Sequence, residues 1–275
     1  MLLQRVVTVA VVLPLFLAAL FALPNLYWGL MLAGVVLLAG HEWGRLAGYS
    51  GAGRALFCCA LALSCGAILW WDQESGVGSF IRTLAGKLLY GAAALFWVAI
   101  APACLLRRWR LRGALLLAAV GWIVLLPFWH ALLYLQPMPI RLLTALSVIW
   151  VGDTAAYFVG RRFGRHKLAL TISPGKTWEG AVGALAAAAI YWIAVWALFP
   201  GRIAHLASGL LWVSVMTLLG IEGDLFESWM KRIAGVKDSG SMLPGHGGVL
   251  DRVDSLTATL PLAALYFAYP LTDMR

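Results

Sequence analysis

Nine stretches of this chain each approach the roughly 20 apolar residues that a helix needs to cross a bilayer core, and that succession leaves it one way to fold. They fall at about 5–23, 25–40, 54–71, 88–106, 113–134, 140–160, 179–199, 208–223 and 255–270. So many long apolar runs have no place in a soluble core, and the composition agrees, with 62% of the 275 residues hydrophobic and 12% charged. The expected fold is an all-α polytopic membrane protein with about nine transmembrane helices. It forms a single membrane domain over 1–275, with an N-terminal helical part at 1–135 and a C-terminal catalytic part at 136–275. The opening residues also have the layout of a signal peptide, but a retained first span suits the many spans that follow.

The net charge of +9 could point to nucleic acid. Instead the cations lie in short loops between apolar runs, where a topology bias puts them, so nucleic acid is excluded as a partner. With the N-terminus in the cytosol, the inside loops collect 16 of the 21 Lys and Arg and the outside loops 5. The RRWRLR stretch at 107–112 is the densest of these signals, with anionic lipid as a secondary contact. Cys58, Cys59, Cys65 and Cys104 sit inside apolar runs without metal or disulfide spacing and read as free thiols.

The first half offers little chemistry. HEWGR at 41–45 begins like a zincin motif, but Arg45 stands where the second His belongs, so His41 and Glu42 read as a cap at a membrane edge. Trp70, Trp71, Trp122, Trp129 and Tyr134 fall near span ends, as an aromatic belt would.

Eight of the 12 acidic residues, namely Asp153, Glu179, Glu222, Asp224, Glu227, Asp238, Asp251 and Asp254, lie between 153 and 254. Carboxylates at membrane depth are costly unless they face a wet cavity or a partner, so this clustering implies a polar pocket on one side. Asp153 adjoins a ridge of small residues, Gly152, Ala156 and Gly160, along which a neighbouring helix can approach closely. The loop that follows ends in SPGKTWEG at 173–180. There Ser173 and Thr177 offer hydroxyls and Lys176 a cation at the mouth of the next span, a helix N-terminus suited either to a simple cap or to a phosphate.

The run from Ser228 to Asp254 is the most polar of all. In a helix entering it, Asp224, Glu227, Ser228 and Lys231 share one face at i, i+3, i+4 and i+7. Beyond a glycine-rich loop, Asp251 and Asp254 stand i and i+3 at the next helix start. Asp224 with Asp251, and Asp254 as a third, compose a candidate Mg²⁺ box with few protein ligands and room for phosphate oxygens.

Within that run Ser228, Lys231-Arg232, Lys237-Asp238, Gly240, Leu243-Pro244, His246-Gly247-Gly248, Asp251-Arg252 and Asp254 resemble the signature of the phosphatidate cytidylyltransferase (CDP-diacylglycerol synthase) family. SPGKTWEG and GDLFES resemble it too, although Gly175 stands where the family often has Lys. The resemblance implies a multi-pass enzyme of a bacterial-type inner membrane that condenses CTP with phosphatidic acid, using Mg²⁺, to give CDP-diacylglycerol and pyrophosphate. On it, Asp224, Asp251, Lys237 and His246 are expected to be catalytic, His246 either donating to the leaving pyrophosphate or bracing its loop. Asp224, Asp251 and Asp254 are expected to hold the metal. Ser173, Lys176, Thr177, Lys231, Arg232, Asp238, Gly247, Gly248 and Arg252 are expected to contact substrate. Membrane lipid surrounds such a chain, and a homodimer is compatible with it. The rival readings are another CTP-dependent lipid enzyme, such as a polyprenol kinase, and a transporter of a phosphorylated solute; the latter should show two related halves, whereas the charge here is confined to one.

Overall fold

The computed structural model describes residues 2–199, 206–240 and 247–269, with the side chains of 2–9 excepted. Among these residues there are nine helical passes, as the apolar runs require. They are α1 (Leu2–Ala22), α2 (Asn25–Leu46), α3 (Gly51–Ser75), a broken pass made of α4 (Leu84–Leu95) and α5 (Ala101–Arg107), α6 (Ala114–Leu135), α7 (Pro139–Phe163), α8 (Trp178–Leu198), α9 (Leu206–Ile233) and α10 (Leu250–Ala268). The passes from α2 to α9 are each long and apolar enough to cross a membrane, seven spans in all. The break between α4 and α5 is one π-helical turn, Phe96–Ile100.

Alternation of the passes brings the ends of α2, α5, α7 and α9 to the same end of the bundle as the starts of α3, α6, α8 and α10. That end also carries a two-stranded antiparallel hairpin, β1 (Lys167–Ala169) and β2 (Ser173–Thr177), which pairs Lys167 with Thr177 and Ala169 with Ser173. The sequence reads this segment only as a loop, since three-residue strands leave no periodic signal.

Packing in the first half relies on tryptophan. Trp28, Trp43 and Trp129 are fully buried between α2 and α6, and each indole N–H donates to a backbone carbonyl across the interface, of Leu132, Leu117 and Gly29 respectively. Donors satisfied in this way remove the penalty of burying a polar edge. Trp129 is therefore a core residue and not part of an aromatic belt, whereas Trp70 and Trp71 are exposed at the end of α3 as expected.

The second half packs through small residues. A Cβ placed at Gly160 would stand 3.6 Å from Gly180 Cα, and one at Gly180 only 2.9 Å from the Ala156 carbonyl oxygen, so the expected ridge on α7 is met by α8 at backbone distance. Gly223 does the same for α9 and α10, where a Cβ would press on the Asp254 carbonyl oxygen at 2.5 Å. These close contacts draw four carboxylate-bearing helices and the hairpin into one cluster.

Candidate active site

Lys176 leaves the end of β2 and pairs with Asp224 of α9, Nζ to Oδ2 2.5 Å. Burial pulls the Lys176 ammonium down, but the adjoining Asp224 carboxylate, with Asp153 and Asp254 behind it, outweighs that and holds it above the usual lysine range. Ser228, one turn along α9, donates to Asp224 Oδ1 at 3.3 Å. Asp153 of α7 lies near Ser255 of α10 and within electrostatic reach of Lys176 and Asp224. Around Asp153, the residues Ile149, Gly152, Ala184, Thr217, Gly220 and Ile221 close in and leave no space for a water molecule.

A second group adjoins the first. Lys231 Nζ stands 2.6 Å from both Glu227 Oε2 and Asp251 Oδ1. The other oxygen of Asp251 accepts from Ser239 N (3.0 Å), Ser239 Oγ (3.0 Å) and Gly248 N (2.9 Å). Asp254 interacts with Asp224 and Lys176 of the first group and with Lys231 of the second, and its Oδ1 accepts from Ser255 N at 2.8 Å. Asp224, Glu227, Ser228 and Lys231 thus do share one face of α9, as their spacing requires.

The remaining expected residues have mixed placements. Thr177 is buried and caps α8, its Oγ1 accepting from Gly180 N at 3.1 Å, so the simpler of its two readings describes its contacts. Ser173 is half-buried in the hairpin. Arg232 Nε donates to Ile172 O at 3.1 Å and one terminal nitrogen to Val236 O at 3.5 Å, tying the hairpin to the end of α9. Lys237, Asp238 and Arg252 are exposed at the mouth. Gly247 adopts φ +81°, a conformation that favours glycine, and Gly248 spends its N–H on Asp251. His246 lies outside the described residues, as do Leu243 and Pro244.

One member of the site comes from the first half. Glu42 of α2 is 1% exposed. Its carboxylate accepts from Val249 N (3.1 Å), Leu250 N (2.8 Å) and Ser239 Oγ (2.9 Å). It is a cap, but of α10, some 200 residues away in sequence, and not of its own helix. The available signal was a lone carboxylate within an apolar run, which at membrane depth demands a partner.

In electrostatic terms, five carboxylates (Asp153, Asp224, Glu227, Asp251, Asp254) gather around two ammonium groups (Lys176, Lys231), with Glu42 behind them on Ser239. Among the described residues no three acidic, His or Cys side chains are placed to hold a metal ion; of the expected Mg²⁺ box, Asp224 is paired with Lys176 and Asp251 with Lys231. A cluster richer in carboxylates than in ammonium groups suits a hard cation that keeps most of its coordination sites for another ligand.

The whole of this architecture has relatives. The family model described as the cytidylyltransferase family matches residues 3–270. The chain belongs to the cytidylyltransferase family. It is 38% identical to a phosphatidate cytidylyltransferase of Pseudomonas aeruginosa over 98% of both chains. It is 30% identical to one from Haemophilus influenzae over 98% of this chain and all of that one. A phosphatidate cytidylyltransferase of Brucella suis is 48% identical over 44% of each chain. The match to the first two relatives runs through both halves, so membership of the cytidylyltransferase family includes the α2 region that supplies Glu42.

Proposed function

We propose that this protein transfers the cytidylyl group of CTP to phosphatidic acid, forming CDP-diacylglycerol and pyrophosphate for phospholipid synthesis. The observation that carries the reading is the near-full-length likeness to phosphatidate cytidylyltransferases, joined to a cluster whose charges suit polyphosphate chemistry beside lipid.

In this reaction a phosphate oxygen of phosphatidate attacks the α-phosphorus of CTP, and the bond to the β-phosphate breaks. The attacking phosphate is already largely ionised at neutral pH, so no side chain needs to remove a proton. What the reaction requires is alignment and help for the charge that grows on pyrophosphate. Lys176 and Lys231 sit among carboxylates that keep them protonated and oriented, and they are the natural contacts for phosphate oxygens. Lys237 and Arg252 at the mouth meet the more distal phosphates. Asp224, Asp251 and Asp254 would hold Mg²⁺, which when bound shields the polyphosphate and polarises the reacting centre. His246 is assigned to the leaving group or its loop on the family resemblance alone.

The Lys and Arg distribution favours a cytosolic N-terminus and a site open to the cytosol, in an inner (plasma) membrane. CTP would then arrive from water while the acyl chains stay in lipid. Purified protein in detergent, given phosphatidate, Mg²⁺ and CTP labelled at the α-phosphate, should move the label into a lipid and release pyrophosphate. Label recovered as CDP would mark a lipid kinase instead.

A further inference from the structure

The first-half carboxylate on α2 has no part in the chemistry just described, yet it touches both flanks of the loop that leads into the candidate metal ligand Asp251. Ser239 precedes that loop and Val249–Leu250 follow it, and Glu42 accepts hydrogen bonds from both flanks. The glycines agree with this arrangement. A Cβ at Gly240 would overlap the Glu42 carboxylate, and one at Gly248 would overlap Ser239 Oγ and come within 2.5 Å of Glu42 Oε2. At two positions, then, glycine makes room for a carboxylate of the protein's own.

Ser239 is the link. Its hydroxyl carries one proton and stands 2.9 Å from Glu42 Oε2 and 3.0 Å from Asp251 Oδ2. Two acceptors that share one donor are positioned relative to each other. Asp251 is further held by Gly248 N, in the segment that Glu42 pins through the next two amides.

We propose that Glu42 is a positioning residue for cytidylyl transfer: through Ser239 and the amides of Val249 and Leu250 it fixes the orientation in which Asp251 meets the reacting phosphates. The N-terminal half thereby contributes to turnover and not only to membrane anchoring. This inference rests on the assignment of Asp251 to the reaction.

A mere helix cap makes a different prediction from a positioning residue. Ser239→Ala leaves both backbone amides on Glu42 and the backbone amide of position 239 on Asp251, and removes only the hydroxyl that the two carboxylates share; Glu42→Gln keeps one acceptor but loses the second. Each variant, with the double, is compared with the parent for melting temperature in detergent, kcat, and KM for CTP and for phosphatidate. Ser239→Ala should melt close to the parent and lose about 10-fold in kcat, as misplacement of a reacting group does, with KM for phosphatidate nearly unchanged. The double variant should lose no more kcat than the worse single one, because both changes break the same link. Parental kcat in Ser239→Ala, or losses that multiply in the double variant, would overturn the proposal and leave Glu42 a cap alone. If the parent itself formed no CDP-lipid, the reading beneath the proposal would fall, and the proposal with it.

Discussion

Two buried polar clusters, one in each half of the molecule, are built from similar residues and end in opposite states. In the first half Asp72, Tyr90 and His130 are all 0% exposed. Tyr90 Oη lies 2.8 Å from His130 Nδ1, Asp72 Oδ2 faces His130 Nε2 at 3.4 Å, and Asp72 Oδ1 accepts from Phe80 N at 2.9 Å. Phe80 stacks edge-on against the His130 ring, sealing the group. In the second half Lys176–Asp224 is only partly covered while Lys231–Asp251 is nearly buried, carboxylates outnumber ammonium groups, and glycine lets the backbones approach. The first cluster closes Asp72, His130 and Tyr90 on one another behind aromatic packing. The second gathers more carboxylates than ammonium groups at one end of the bundle, an arrangement that a protein tolerates where a ligand completes the balance.

The largest effect that would sharpen this contrast is metal removal. Chelation of divalent ions by excess EDTA should bring CDP-lipid formation to background and leave the melting temperature of the ligand-free protein nearly unchanged. Next, Asp251→Asn should lower kcat by about 10³-fold, in the range expected for loss of one preorganised charge contact, with protein still recovered folded from the membrane. Asp72→Asn should do the reverse, costing about 3 kcal/mol of stability, as breaking a buried pair does, while kcat of the folded fraction stays at the parental value. Lys176→Ala should reduce kcat/KM for CTP by about 30-fold, equivalent to ~2 kcal/mol for a charge-assisted contact. Smallest is Thr177→Ala, which should cost about 1 kcal/mol through loss of the α8 cap and change KM little; a large rise in KM for CTP there would make Thr177 a substrate contact after all.

Much of this was legible in the chain because membranes impose strict periodicities. Every apolar run became a helical pass, since a bilayer leaves backbone groups no other partner over such lengths. The shared face of Asp224, Glu227, Ser228 and Lys231 and the α7 ridge followed from helical geometry alone. Long-range partners were not legible. Glu42 meets Ser239 across 197 residues, and Asp72 meets His130 between two helices, so no local spacing announces either pair. Trp129 reads as belt from its place near a span end, and its burial and bond to the Gly29 carbonyl show it to be core. The hairpin at 167–177 is too short to register as alternation.

The most direct comparison places both clusters in one assay. Parent, Asp72→Asn and Asp224→Asn proteins, matched for folded amount in detergent, are given phosphatidate, Mg²⁺ and α-labelled CTP, and the label in lipid is followed with the pyrophosphate released. The account predicts equal CDP-lipid and pyrophosphate from the parent and from Asp72→Asn, and almost none from Asp224→Asn. Parental turnover in Asp224→Asn, or its loss in folded Asp72→Asn, would contradict it.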